Sequence, residues 1–215
     1  MIGLKIDEKH TYYDFGMKML SFNVSEPEIY EEKIKVPGRN GLLDMSEALT
    51  GEPIYQNRKL QATFDLYGEN AETLEDKKSS ICNFMHGKAV RIVYDKDPDY
   101  YYEGRMSVKA HQKNKLYFSV ELTADIQPFK LKHEKTIVST TVSGSSKVIC
   151  PNIRMSVVPE ITTNADFELS FGDYVANIND AGTYMIPDIK FTEGNNEIIC
   201  SGNGTIAFSY QEGSL

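Results

Sequence analysis

Alternation with a period of two runs through most of this chain, and it limits the fold more than any other feature. Leu60, Ala62, Phe64 and Leu66 are separated by Gln61, Thr63 and Asp65, the spacing that sends apolar side chains to one face of a strand and polar ones to the other. Val90, Ile92 and Tyr94 repeat the pattern, as do Met106, Val108 and Ala110, then Leu116, Phe118, Val120 and Leu122. Residues 111–115, HQKNK, read as a polar hairpin turn between the last two runs. One segment departs from this period. Leu74, Ile81, Phe84 and Met85 share a helical stripe, Asn70 stands where a cap belongs, and Glu72, Glu75 and Asp76 sit near the positive end. Gly87, with Lys88 beside it, closes the segment, so the spacing predicts a helix over about 71–87.

The last third shows no helix. Short apolar alternations recur at Ile153/Met155/Val157, Phe167/Leu169/Phe171, Tyr174/Ala176/Ile178, Ile189/Phe191 and Ile206/Phe208/Tyr210. Turn signals separate them: residues 162–164, Gly172-Asp173, residues 179–182, residues 193–196 and the hairpin turn expected at Ser201-Gly-Asn-Gly204. That rhythm belongs to a β-sandwich or barrel. Charge divides the chain in the same place. Residues 1–140 carry 20 basic and 22 acidic residues, whereas residues 141–215 carry 3 and 9. Between Pro128 and Pro151 runs TIVSTTVSGSSK (residues 136–147), which reads as a linker or a polar edge strand. The fold class expected is mainly β with one helix (α+β): an N-terminal β domain over 1–135 and an all-β domain over 136–215.

His10, His86, His111 and His133 stand at no ligand spacing from one another or from a cysteine. Cys82, Cys150 and Cys200 form no CxxC pair and read as small core hydrophobes. Asp95, Asp97 and Asp99 imitate the opening of a calcium loop, but Tyr100 stands where its glycine is required and Met106 where its last carboxylate belongs, so an acidic turn is expected. Gly202, Gly204 and Ala207 spell a dinucleotide fingerprint that no helix follows. No catalytic residue, metal ligand or cofactor site is expected, and no enzyme. No run nears the roughly 18 apolar residues of a membrane helix. Charges in MIGLKIDEKH stand where a signal peptide would be apolar, so neither export nor membrane insertion is expected. A net charge of −8 argues against a nucleic-acid-wrapping surface.

The most informative stretch is KVPGRNGLLDMSEALTGEPIYQNRKL, residues 35–60. Pro37-Gly38 and Asn40-Gly41 are two tight-turn signals a few residues apart, and Leu42, Leu43, Met45 and Leu49 then seek burial while Asp44 and Ser46 offer local acceptors. Two outcomes stay open at this level. The segment folds back on its own domain as an irregular hairpin or Ω-loop, or it is an arm that buries its apolar residues against a neighbouring subunit. Arg39, Arg58 and Arg105 are candidates for interface ion pairs, with solvated surface arginine as the plainer alternative.

The order Phe15-Gly16, Val36-Pro-Gly-Arg-Asn-Gly-Leu-Leu-Asp44, Tyr55-Gln-Asn-Arg58, the Phe64 strand and the helix resembles the N-terminal domain of distal tail proteins. These are hub components of long, non-contractile-tailed bacteriophages or prophages. The likeness continues through Tyr100-Tyr-Tyr-Glu-Gly-Arg105, Gly182-Thr-Tyr-Met-Ile-Pro-Asp-Ile189, Glu193-Gly-Asn-Asn196 and Thr205-Ile-Ala-Phe-Ser-Tyr210. The resemblance implies a homo-hexameric ring of N-terminal domains with galectin-like C-terminal sandwiches at its periphery. It implies a place at the virion's tail tip, between the tail tube protein and tail-tip or adsorption proteins. It implies tape-measure and receptor-binding proteins as possible further partners, and a channel through which DNA only passes. In such a ring Pro37, Gly38, Arg39, Asn40, Gly41, Leu42, Leu43, Asp44, Arg58 and Arg105 are the candidate subunit-interface residues. The alternative is a carbohydrate-binding module on the C-terminal sandwich, with Tyr174, Tyr184 and Tyr210 standing in for the tryptophan this chain lacks.

Overall fold

Leu60, Ala62, Phe64 and Leu66 are at most 1% exposed in the computed structural model of the chain, which describes residues 1–215. The protein is mostly strand with a single helix. Its contacts separate two units, residues 1–130 with Leu215, and residues 131–214. The first unit contains β1 (Leu4–Ile6), β2 (Lys9–His10), β3 (Lys18–Val24), β4 (Lys33–Ile34), β5 (Leu43–Asp44), β6 (Arg58–Tyr67), α1 (Ala71–Met85), β7 (Ala89–Tyr94), β8 (Asp97–Asn114) and β9 (Tyr117–Ile126). β10 (Lys130–Lys132) begins at the boundary, and β11 (Thr136–Asn152), β12 (Glu160–Thr163), β13 (Phe167–Phe171), β14 (Tyr174–Ile178), β15 (Gly182–Met185), β16 (Gly194–Tyr210) and β17 (Gly213–Ser214) complete the chain.

In the first unit the sheet runs β2-β1-β7-β8-β9-β6-β3. It curls, because Phe22 on the last strand stacks on Tyr94 of β7 with ring centroids 4.2 Å apart. Helix α1 lays Leu74, Ile81 and Met85 on the same core. Its start is a reciprocal cap: the Thr73 N–H donates to Asn70 Oδ1 at 2.8 Å and the Asn70 N–H donates to Thr73 Oγ1 at 3.2 Å. Gly104 lets β8 and β9 close, since a Cβ there would stand 2.3 Å from the Asp125 carbonyl oxygen.

The second unit is built on a ribbon in which β11 and β16 pair along their whole lengths, Thr136 opposite Tyr210 and Asn152 opposite Gly194. The polar stretch at 136–147 is therefore the edge-strand outcome rather than a linker. β16 then pairs β13 through residues 199–202 and β12 through residues 206–209, so one strand serves two groups of partners. Phe191 joins them, packing against Phe171 of β13 and against Phe208 and Tyr210 of β16.

Several local expectations are corrected. Residues 111–114 belong to β8, so the hairpin turn falls at 115–116, and Thr162 and Thr163 belong to β12, so that turn starts only at Asn164. Ser201 to Gly204 is not a hairpin turn but the interior of β16. Its glycines answer crowding instead: a Cβ on Gly202 would come 2.6 Å from the Asp166 carbonyl, and one on Gly204 2.5 Å from Asn164 Oδ1. Residues 193–196 are likewise largely strand, β16 beginning at Gly194. The runs at 153–157 and 189–191 form no strands and meet only in a single bridge, Val157 to Phe191; apolar spacing there records burial of Ile189 and Phe191 without a ladder.

All three cysteines are free, with Cys150 and Cys200 buried. Burial pushes the Cys200 thiol up to about 11 and, with Cys200 nearby as a lesser cause, the Cys150 thiol up to about 12. Both stay protonated at pH 8, so a thiol-disulfide exchange reagent added to the native protein should modify Cys82 alone; fast reaction of all three without denaturant would contradict this packing. Gly104→Ala should cost at least about 2 kcal/mol in denaturant titration, because the neighbour it strikes is backbone and cannot swing away.

Candidate functional site

Between β3 and β6 the chain leaves the core altogether. No residue from 25 to 57 is buried. The segment leaves and rejoins the sheet at a defined root, where the Ser25 N–H donates to the Lys59 carbonyl and the Lys59 N–H donates to Ser25 Oγ, both at 2.9 Å. From there two legs run antiparallel. The Gln56 N–H donates to the Glu28 carbonyl at 2.7 Å, and the Tyr30 N–H to the Ile54 carbonyl at 2.8 Å. Farther out, β4 and β5 pair Lys33 with Asp44 and Ile34 with Leu43.

The two turn signals act at the end of the ribbon. Gly38 and Gly41 both hold φ near +78°, a region that favours glycine. The carboxylate of Asp44 accepts from the Ser46 hydroxyl at 2.6 Å and its N–H at 3.0 Å. Those two bonds hold its pKa below the usual carboxylate value. Ser46 in turn accepts the Glu32 N–H at 2.8 Å, so the segment is ordered by local polar contacts rather than by a core.

Most of its apolar side chains are exposed. Leu49 is as exposed as in an extended chain, Leu42 is 56% exposed, and Tyr30, Ile29, Ile34 and Ile54 are also exposed. Leu43 is half-buried. The outer part of the segment thus stands off its own domain as an arm, and near the root Tyr55 packs edge-on against Phe129 with ring centres 5.6 Å apart. Pro37, Arg39 and Asn40 lie at its exposed tip.

The other two candidates lie in the sheet. Arg105 is exposed and donates through Nη1 to the Gly87 carbonyl, tying β8 to the residue that ends the helical segment. It stands opposite Asp125, which stands opposite Lys59, giving a cross-strand row of alternating charge. Arg58 is neither exposed nor solvated. It is 5% exposed, and its guanidinium carbon lies 5.4 Å from the Tyr102 ring centre. Burial lowers its pKa and raises that of Tyr102. Sequence reasoning had the signal for this, since Arg58 is in phase with Leu60, Ala62 and Phe64.

Elsewhere the polar groups are engaged internally. Asp95 accepts the Gly3 N–H at 2.7 Å and pairs with His10 Nε2 at 3.1 Å. His10 Nδ1 takes the Tyr12 and Tyr13 N–H groups, so that nitrogen is the acceptor of the ring. Asp97 pairs with Lys130 at 2.7 Å. His86 Nδ1 accepts the Val108 N–H at 3.0 Å. No group of three or more His, Cys, Asp or Glu side chains is arranged to hold a metal ion. Of the three tyrosines considered for a sugar platform, Tyr210 is 2% exposed with its hydroxyl on the Pro151 carbonyl, Tyr184 donates to the Asp180 carbonyl, and Tyr174 is exposed.

Three comparisons with known proteins bear on this arrangement. The family model described as phage tail protein RIFT-related domain matches residues 8–124, which takes in the arm, the helix and β3 to β8. No curated protein matches by sequence. Among solved structures, the Dit protein of phage SPP1 superposes with a TM-score of 0.66 at 16% identity, covering 98% of this chain and 99% of that one. Its crystal structure is described as a paradigm of the hub adsorption apparatus in phages infecting Gram-positive bacteria.

An arm without a core predicts a stability that ignores its side chains. Leu42→Ser and Leu49→Ser should each shift protomer stability by less than about 0.5 kcal/mol in denaturant titration. A loss above about 2 kcal/mol for either would mean that the side chain is buried in the protomer.

Proposed function

The chain belongs to the family of phage tail proteins with a RIFT-related domain, and from that premise we propose that it is a hub component of a phage tail tip. Six N-terminal units close into a ring that joins the tail tube protein to tail-tip and adsorption proteins. The C-terminal unit is a galectin-like sandwich at the ring's periphery. The ring leaves a channel through which DNA passes. The work is structural and non-enzymatic, and its place is the virion's tail.

The observation that carries this reading is the end-to-end correspondence in fold with a protein described as a hub of the adsorption apparatus. The arm supports it. Leu42, Leu49 and Ile34 are solvent-facing in the protomer, and a head-to-tail interface in a closed ring would cover them. The candidate interface is accordingly Pro37 to Asp44 of the arm, with Arg58 and Arg105 in the sheet. The nearly balanced charge of residues 1–140 suits self-packing, and the excess negative charge of residues 141–215 suits a surface that stays in solvent.

Sedimentation velocity and negative-stain imaging over a concentration series test the assembly. The expected particle is a ring of about six copies, and deletion of residues 35–50 should leave folded monomers. A wild-type chain that remains monomeric at high concentration, with tail tube protein added as well, would count against the ring.

A further inference from the structure

Two buried side chains keep polar atoms without a partner: Asn152 through Oδ1, and Arg58 through Nε and Nη2. A lone amide oxygen is a place for one water molecule. A guanidinium is a different matter, because it cannot give up its proton in a protein and its five donors accept nothing in return. Charged groups this deeply buried are ordinarily paired. The Tyr102 ring, 5.4 Å away, answers the charge but offers no acceptor in the guanidinium plane. Glu26, at the root of the arm, is felt only through its field and makes no hydrogen bond to Arg58.

Resting on the ring reading above, we propose that Arg58 is a carboxylate receptor left open in the protomer and filled on assembly by an acidic side chain from the outer arm of a second copy. The arm has the matching chemistry. Residues 31–52 carry five carboxylates against three bases, and none of those residues is buried. An arm that reaches a neighbour to cover Leu42 and Leu49 therefore brings carboxylates with it. The receiving end is rigid, since Arg58 is the first residue of β6 and is held opposite Ile126 in the β6–β9 ladder. Nη1 is not among the covered nitrogens, and it is where an incoming oxygen makes first contact. A planar fork in a low-dielectric setting holds a carboxylate more strongly than a surface lysine would. The open receptor makes the lone protomer less stable and the assembled one more so, which favours the ring.

Thermal melts at low concentration and sedimentation over a concentration series, both on the full chain, test this. Arg58→Met should melt several degrees above wild type, because it removes an uncompensated buried charge, and should need at least about tenfold more protein to assemble. Glu26→Gln should leave both properties unchanged. Assembly of Arg58→Met at the wild-type concentration would overturn the proposal while leaving the ring standing. Lower melting of both Arg58→Met and Arg58→Gln would also overturn it, by showing the guanidinium already satisfied within one chain. So would an assembly defect in Glu26→Gln as large as that of Arg58→Met, which would assign the acceptor to the arm's root. A wild-type chain that stays monomeric throughout speaks against the ring itself, a result separate from the other three.

Discussion

The ladder between β6 and β9 supports most of what matters in the first unit. Ten residues of each strand face one another, from Arg58 opposite Ile126 to Tyr67 opposite Tyr117. Their inward members, Leu60, Phe64, Leu66, Val120 and Leu122 among them, form the middle of the core. β3 pairs on the other side of β6, and the chain between those two neighbours is the arm. An extended ribbon with no buried residue keeps its direction only if its two ends are fixed. Here both ends are backbone of adjacent strands in a packed sheet.

That arrangement separates stability from exposure. The core needs nothing from residues 25–57, so the arm is free to carry leucines in solvent, a composition that a self-contained domain has no use for. The same separation explains the polar bonds within the arm. Asp44, Ser46 and the Glu32 backbone hold the outer part in shape where hydrophobic burial does not. Order of this kind would lower the entropy lost if the arm were seated on a partner.

In the second unit the controlling element is the ribbon of β11 and β16. A strand that pairs β13 with one stretch and β12 with the next must admit crossing loops at close range, and Gly202 and Gly204 provide the room. The letters of a phosphate-binding motif thus arise from strand crowding, because small residues answer close backbone approach whatever the approaching group is. Phe191 does the complementary work from a segment with no ladder of its own, filling the space that the two groups of strands enclose.

Much of this was legible beforehand. The period of two marked β6 to β9, the capped stripe marked α1, and Pro-Gly and Asn-Gly marked two tight turns, because strand faces, helix ends and tight turns are set by neighbours within a few residues. What the sequence left open depends on distant ones. Whether Leu42 and Leu49 are covered is a question about the far side of the chain, and only the folded arm shows them bare. Whether Ser201 to Gly204 turns or continues depends on Asp166 and Asn164, more than thirty residues away. Arg58 shows the division within a single side chain. Its phase in the strand already pointed inward, but a buried charge is defined by the partner it lacks, and that absence exists only once the whole core has closed around it.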